Sequence, residues 1–317
     1  MSPQRHSRAA VLVVGSANMD LVFSVAKFPR PGETLFASDF GMFPGGKGAN
    51  QAVACARLGT RTFLMAKTGR DLFREKLVDS LRRSGVRLAH FMSDPAAPTG
   101  IALIGVDGKG ENQITVVSGS NMKLLPADVR KRERIFSKVA VVLLQLEIPI
   151  PTVVTAANLA ARAGALVVLN PAPARKLPGA LLRRIDYLVP NETEADLLTG
   201  TPVHSLKSAA IAAGRLIQRG AGNVIVTMGS RGVLLVTPGS SRLFPSPRVR
   251  AVDTTAAGDA FSGAFAGALA ARMPVEEALT LACAVGAFSV TRRGAQASMP
   301  TARELRRFMN QNGPQSP

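Results

Sequence analysis

Asp259 stands in "VDTTAAGDAFSGAFAGALA", Val252 to Ala270, a run of small and apolar residues that predicts a helix beginning near Ala256. The backbone N–H groups of Ala256, Ala257 and Gly258 would lie at the positive end of that helix, placed to stabilise a developing anion. A carboxylate in a first turn is most often a partner of the helix dipole. Facing a substrate hydroxyl, the same carboxylate is a general base that takes up the proton as a phosphoryl group is transferred.

A second candidate is the glycine-rich stretch "GMFPGGKGAN", Gly41 to Asn50. Gly41, Gly46 and Lys47 have the spacing of a phosphate-binding P-loop, but such a loop needs Ser or Thr after the lysine to hold Mg²⁺, and Gly48 stands there. Three readings follow: a P-loop without its hydroxyl, a loop for a different ligand, or a tight turn opening the small-residue helix "QAVACARLG".

Other polar residues fall just after apolar runs, where ligands bind in open α/β sheets. Asn18 and Asp20 follow the first run, Glu147 and Asn170 the middle ones. Asn191 with Glu194, and then "TMGSRG" (Thr227 to Gly232), follow the later ones. Singly, such residues are turn or cap formers. Together they put polar groups at five strand ends.

The elements that must position them read as a doubly wound α/β plan. Continuous apolar runs at 10–16, 61–67, 139–147, 164–171, 186–191 and 222–229 imply strands buried on both faces of a mostly parallel central sheet flanked by helices. Helical patterns at 71–84, 150–163 and 205–219 lie between them. Leu21 to Gly41 and Thr99 to Val117 break this rhythm as strand, turn, strand, with Asp107-Gly108 as a hairpin signal. They predict a small sheet, either a lid with strands from about 17–45 and 99–118 or an antiparallel edge extension, within one domain spanning 1–317. Gly263, Ala264, Ala266 and Gly267 would let the Asp259 helix approach the sheet closely. The tail "NQNGPQSP" is expected to fray.

With 46% hydrophobic residues, the chain can bury a large core. Its longest apolar runs, "AVVLLQL" and "ALTLACAVGAFSV", are too short to span a bilayer. Cys55 and Cys283 lie far apart in helix-like sequence and form neither a disulfide framework nor a metal spacing, which points to a reducing, cytoplasmic setting. The strand beginning at Ala10 leaves no room for a long leader. A net charge of +18 raises the question of nucleic acid. The charges are dispersed in pairs such as Arg82/Arg83 and Arg292/Arg293, only "RKRER" (Arg130 to Arg134) is clustered, and aromatics for base stacking are scarce. Nucleic-acid binding is not expected as the main function.

"GGKGANQAVACARLG" and "DTTAAGDAFSGAF" resemble the two signatures of phosphofructokinase-B type carbohydrate kinases, the ribokinase family. "LQLEIP", "LNPAPA", "PNETEA" and "VTMGSRGV" extend the resemblance in order over about Val11 to Pro300. It implies ATP-dependent phosphorylation of the primary hydroxyl of D-ribose, with Asp259 as base and the amides of Ala256, Ala257 and Gly258 as anion hole. "GGKGAN" then becomes a sugar loop, in which Gly45, Gly46, Lys47 and Asn50 join Asn18, Asp20, Glu147 and Asp259 around the pentose. ATP is implied along Asn191, Thr227, Met228, Gly229, Ser230, Arg231, Gly232 and Gly258. Cys283 falls at the expected adenine pocket, where it also suits a small buried hydrophobe.

The resemblance further implies Mg²⁺ organised by Glu194 through water and K⁺ held by Asp253, Thr255, Ser289, Arg292, Gly294 and Ser298. Dimerisation through the lid is implied as well. Alternative substrates are deoxyribose, another sugar or a nucleoside such as adenosine, for which Phe36, Phe40 and Phe43 would supply an aromatic lid. A sugar sensor without catalysis remains a non-enzyme reading, and the presence of Asp259 speaks against it.

Overall fold

The computed structural model describes residues 9–312. The basic stretch 1–8 and the last part of the tail expected to fray, 313–317, lie outside the described residues. The main sheet contains β1 (Ala10–Val14), β4 (Arg61–Thr68), β5 (Arg87–Ser93), β8 (Val141–Leu144), β9 (Leu166–Leu169), β10 (Tyr187–Leu188), β11 (Asn223–Thr227), β12 (Val233–Val236) and β13 (Ser241–Phe244). A second sheet contains β2 (Asn18–Ser24), β3 (Asp39–Gly45), β6 (Gly100–Val106) and β7 (Asn112–Val117).

The main sheet runs β13-β12-β11-β10-β9-β8-β1-β4-β5, with β12 alone reversed, antiparallel to both β11 and β13. Every residue of β1 and β8 is buried, as their unbroken apolar runs require. Val11 and Val13 face one core, and Ala10, Leu12 and Val14 the other. On the first face lie α1 (Lys47–Arg57), α2 (Leu72–Arg83), α8 (Ala257–Ala270), α9 (Val275–Ser289) and α11 (Ala302–Asn312). On the second lie α3 (Pro126–Arg130), α4 (Ile150–Arg162), α5 (Gly179–Leu182), α6 (Glu192–Thr199) and α7 (Leu206–Gln218). The short α10 (Ala295–Ser298) rests against α1 and β3.

Three strands escaped the sequence reading: β5, β12 and β13. β5 and β13 are the sheet edges, each with one neighbour and an exposed side, so neither has a continuous apolar run. The run in β12, "VLLV", is too short to stand out from the glycine-rich turn before it. At the tail, α11 continues through Asn312, so the first of the residues expected to fray are helical.

The direction in which successive strands are added reverses at β1, which lies parallel between β4 and β8. The crevice of a doubly wound fold opens at the carboxyl ends of two such strands. The second sheet departs from the same place, β2 following β1 directly. Its order is β3-β2-β6-β7, with β2 and β6 parallel and the outer pairs antiparallel. These are the segments expected to stand off the main sheet, and they form a sheet of their own.

The glycines of α8 serve a different contact from the one expected. A Cβ on Gly263 would lie 2.5 Å from the Gln51 carbonyl oxygen and 2.6 Å from Ala54 Cβ, both on α1. The close approach is therefore helix to helix, α8 on α1. Gly263→Ala is expected to lower unfolding stability by roughly 1–3 kcal/mol through overpacking. Chemical denaturation measures this, and an unchanged midpoint would show that the two helices do not need that proximity.

Candidate active site

The "GGKGAN" turn is shaped by the backbone it passes over. Gly46 has φ 86°, and a Cβ there would meet Asn18 N at 2.6 Å, while one on Gly48 would meet Ser16 N at 2.6 Å. The amide of Lys47 donates to Glu147 Oε2 (3.1 Å), that of Gly48 to Ser16 Oγ (3.2 Å) and that of Ala49 to the Ser16 carbonyl (2.9 Å). Ser16 Oγ in turn donates to Glu147 Oε2 at 2.5 Å. Amides that would cradle phosphates in a P-loop are engaged inside the protein, and the P-loop reading is set aside on this geometry.

Gly46, Lys47 and Asn50 instead line a cavity of about 380 Å³ together with Asn18, Asp20 and Glu147. Asn170, Asn191, Glu194 and Asp259 line it as well, so residues from every one of the anticipated strand ends meet there. Gly45 lies beneath: a Cβ on it would sit 2.1 Å from Asp20 Oδ2, so glycine leaves room for that carboxylate. The second sheet covers the opening with Ala102, Ile104, Asn112, Ile114 and Val116. Phe36, Phe40 and Phe43 are not part of this lining, and Phe36 is 98% exposed. The aromatic lid entertained for a nucleoside is therefore corrected: the cover is aliphatic.

A second cavity, also about 380 Å³, is lined by Gly229, Ser230, Gly232 and Cys283, with Phe261, Val249 and Val290 as apolar wall. Two residues of the expected nucleotide stretch lie elsewhere. Met228 is in the core, and the Arg231 guanidinium is drawn away by Glu192 and the His204 carbonyl. Thr227, Thr254, Ala257 and Gly258 line both cavities. The two spaces thus meet at the amino end of α8. Ala256, the cap residue, has φ 60°, a left-handed conformation that costs a non-glycine residue roughly 1–2 kcal/mol. The Ala257 amide donates to the Thr254 carbonyl at 3.3 Å, closing the turn that precedes the helix.

Asp259, in the first turn of α8, is buried yet lines the first cavity. Its Oδ2 accepts from Asn50 Nδ2 at 3.0 Å and its Oδ1 from Gln51 Nε2 at 2.9 Å. Burial pushes its pKa up, against the pull of Lys47, Asn50 and Gln51, and Glu147 adds to the rise. Lys47 is raised chiefly by the Asp259 charge, so its ammonium is firmly held. Asp20 is driven up to about 7 by burial, with Glu147 and Asp259 reinforcing the shift and Lys47 opposing it. Burial also raises Glu194. The cavity therefore gathers four carboxyl groups around one ammonium, a set of acceptors for hydroxyl donors.

Sequence reasoning missed several residues. Asn121 Nδ2 donates to Asn18 Oδ1 at 2.6 Å and its Oδ1 accepts from Ala17 N, which fixes Asn18. Asn50 Oδ1 and Ser262 Oγ are buried without a protein partner beside the cavity, as groups awaiting a ligand are. A Gln among the small apolar residues of α1 was the available signal for Gln51. Asn191 and Glu194 form a capping box on α6, with bonds of 2.7 and 2.9 Å, so their pattern has a structural part as well.

The six residues anticipated around K⁺ fall in two adjoining segments, Asp253 and Thr255 before α8, and Ser289, Arg292, Gly294 and Ser298 from the end of α9 to the end of α10. Asp253 accepts from the amides of Thr255 (2.9 Å) and Gly294 (2.8 Å), tying the approach to α8 to the loop after α9. Ser289 and Ser298 direct their hydroxyls to the carbonyls of Gly286 and Ala295, and the Arg292 side chain turns away to Glu304 and Phe288. Among the described residues, no group of three or more His, Cys, Asp or Glu forms a metal cluster. The Arg130 to Arg134 stretch lines a separate groove with His90 and Lys138, outside both cavities.

The family model "pfkB family carbohydrate kinase" matches residues 8–302. The chain belongs to this family. It is 41% identical to a ribokinase of Haemophilus influenzae over 95% of this chain and 99% of the relative. It is 38% identical to a deoxyribokinase of Salmonella typhi, over 95% and 99%. The fold matches that of a ribokinase of Arabidopsis thaliana complexed with ribose and ATP, with TM-score 0.91, 34% identity and coverage of 95% of this chain and 99% of that one. A kinase of this family needs room for a hydroxyl-bearing acceptor next to room for a nucleotide, and the two cavities adjoin at the amino end of α8. Among the described residues, no helix is long and apolar enough to cross a membrane.

Asp20 supplies a test of the cavity's electrostatics. Its folded pKa of about 7 lies above the ordinary 3.8, so the stability it confers is full below about 4 and is lost as pH rises toward 7. In sugar-free protein, the difference in unfolding free energy between wild type and Asp20→Asn should change in that direction between pH 4 and 7, by about 1 kcal/mol or more. A pH-independent difference would mean that Asp20 ionises as it does in water.

Proposed function

We propose that this kinase transfers the γ-phosphoryl group of ATP to the 5-hydroxyl of D-ribose, giving D-ribose 5-phosphate and ADP. One observation supports it above the others: the amino end of α8, with Ala257 and Gly258, lines both cavities, and Asp259 in the same turn reaches the first. Ribose enters the first cavity, where Asn18, Asp20, Gly46, Lys47, Asn50 and Glu147 take its hydroxyls. Asp259 accepts the proton of the 5-hydroxyl as that oxygen bonds to the γ-phosphorus and the bond to the β-phosphate oxygen breaks. The amides of Ala256 to Gly258 receive the charge that develops, that of Ala257 by exchanging its long bond to the Thr254 carbonyl for the phosphoryl oxygen.

ATP lies in the second cavity along Thr227, Gly229, Ser230 and Gly232, its base toward Cys283 and the apolar wall, with Asn191 at the junction. Glu194 faces the first cavity with a carboxylate raised by burial, a situation a cation relieves. It suits Mg²⁺ bound mainly by water and phosphate oxygens, which when present neutralises phosphate charge. The loops of Asp253, Thr255, Ser289, Arg292, Gly294 and Ser298 offer oxygen donors alone, a set that fits K⁺, whose charge would add to the positive end of α8. Asp253 is held ionised for this: burial works against its charge, but the hydrogen bonds from Thr255 and Gly294 lower its pKa.

The charge of the first cavity favours a neutral acceptor over a sugar phosphate. The same arrangement accommodates deoxyribose if the hydroxyl it lacks is not among those held, and the 38% identity to a deoxyribokinase keeps that second reading open. The chain is read as one domain whose exposed lid surface, including Phe40, Met42 and Phe43, is covered by a second copy in a homodimer. Both cysteines are free, which suits the cytoplasm.

With Mg-ATP and K⁺, ribose should release ADP faster than deoxyribose, fructose 6-phosphate or adenosine. A preference for any of the other three overturns the substrate assignment. Asp259→Asn should lower kcat by roughly 10²-fold or more with ribose binding largely kept, and near-normal turnover would refute the assigned base. Replacing K⁺ by a large organic cation should depress the rate, whereas indifference to the exchange removes the ion site.

A further inference from the structure

We infer that Gln51, which touches neither cavity, is a positioning residue that holds the Asp259 carboxylate in the orientation and charge state needed for proton uptake. The inference rests on the assignment of Asp259 as the base. Gln51 is completely buried in α1 and is absent from the lining of both cavities. Its amide nitrogen donates to Asp259 Oδ1 at 2.9 Å and to Asn170 Oδ1 at 3.2 Å, and its Oε1 accepts from Gln145 Nε2. Asn170 is itself fixed by donating to the Val189 carbonyl at 3.0 Å.

This pattern permits one orientation of the Gln51 amide. Turned over, its oxygen would oppose the oxygens of Asp259 and Asn170, and its nitrogen would oppose the Gln145 nitrogen, so every bond would become a repulsion. The tight contact of α1 and α8 at Gly263 sets the distance, since it brings the Gln51 backbone against α8 with no side chain between. Asp259 is thus gripped on two sides with different consequences. Asn50 holds Oδ2 from within the sugar cavity and is itself part of that lining, whereas Gln51 holds Oδ1 from behind. Removing Asn50 disturbs sugar and base together. Removing Gln51 takes away no cavity-lining group: it releases Asp259 Oδ1 and Asn170 Oδ1, and Asn170 keeps its bond to the Val189 carbonyl.

A donor to a carboxylate favours its ionised form, so loss of Gln51 leaves Asp259 harder to ionise. The other charged groups whose fields reach Asp259 are Lys47 of α1, Glu147 after β8, Asp20 of β2 and Glu194 of α6. Lys47 alone among them favours the anion, and the three carboxyl groups oppose it. Gln51 therefore works, with Lys47 and Asn50, against the rise that burial imposes on this carboxyl.

The test is the pH profile of kcat for wild type, Gln51→Met and Gln51→Leu, with Asp259→Asn as reference. Both variants remove the donor without adding a charge; methionine keeps length, and the more compact leucine covers the case in which the methionine variant does not fold. The acid limb should move up by about one pH unit in the folded variants. Turnover at pH 7 should fall about tenfold, with the KM for ribose within about twofold of wild type. An acid limb that stays in place, whatever happens to overall rate or melting temperature, reduces Gln51 to packing and overturns the inference. Full activity of Asp259→Asn would instead remove the premise, an outcome distinct from the first.

Discussion

A buried carboxylate has to be compensated, and the active-site half of this structure is organised around that requirement at Asp259. Left in an apolar interior without partners, the anion would cost several kcal/mol and simply protonate. Against the rise that burial imposes on its pKa, α8 delivers it, through the close contact at Gly263, to the first turn of α1, where Asn50 and Gln51 supply donors and Lys47 a charge. The amino ends of both helices converge on the same region. Small residues along α8 are thus a condition of the chemistry as well as of packing: a bulkier seam would part the carboxylate from its partners.

The same region shows why the two substrates need separate walls. Four carboxyl groups around Lys47 suit a neutral polyol and repel an anion, whereas the second cavity is apolar with glycine backbone along its rim. The amino end of α8 is the surface common to both, and it is the place where backbone amides can meet a phosphoryl group. The second sheet, leaving the main sheet at β1, lines the first cavity with Ala102, Ile104, Ile114 and Val116 and with Asn112.

Much of this plan was legible in residue order. Continuous apolar runs marked the central strands because burial on both faces leaves no room for polar alternation, and the polar residues after them marked the crevice. Edge strands β5 and β13 were not legible for the converse reason, having an exposed side. The site was visible where a residue type is odd for its place, as with Asp259 or Asn18. It was hidden where a polar residue acts behind another, as with Gln51 and Asn121, since nothing local in the sequence says which buried amide faces which carboxylate. Arg231 misled because it stands inside the stretch that the resemblance assigned to ATP, while its geometry delivers it to Glu192. The glycines of "GGKGAN" were ambiguous for a related reason. Close backbone approach is needed for a phosphate and equally for the turn at Ser16, and only the bonding of the amides separates the two.

The central claim is spatial: one helix end joins a sugar held by the first third of the chain to a nucleotide held by the last. A crystal structure of the protein with ribose and an unreactive ATP analogue tests it most directly. It should show the primary hydroxyl of ribose at hydrogen-bonding distance from Asp259, about 2.6–3.2 Å, and the analogue's terminal phosphate at the amides of Ala256 to Gly258. Ribose bound with that hydroxyl turned away from Asp259, or the analogue seated outside the cavity at Cys283, would contradict it.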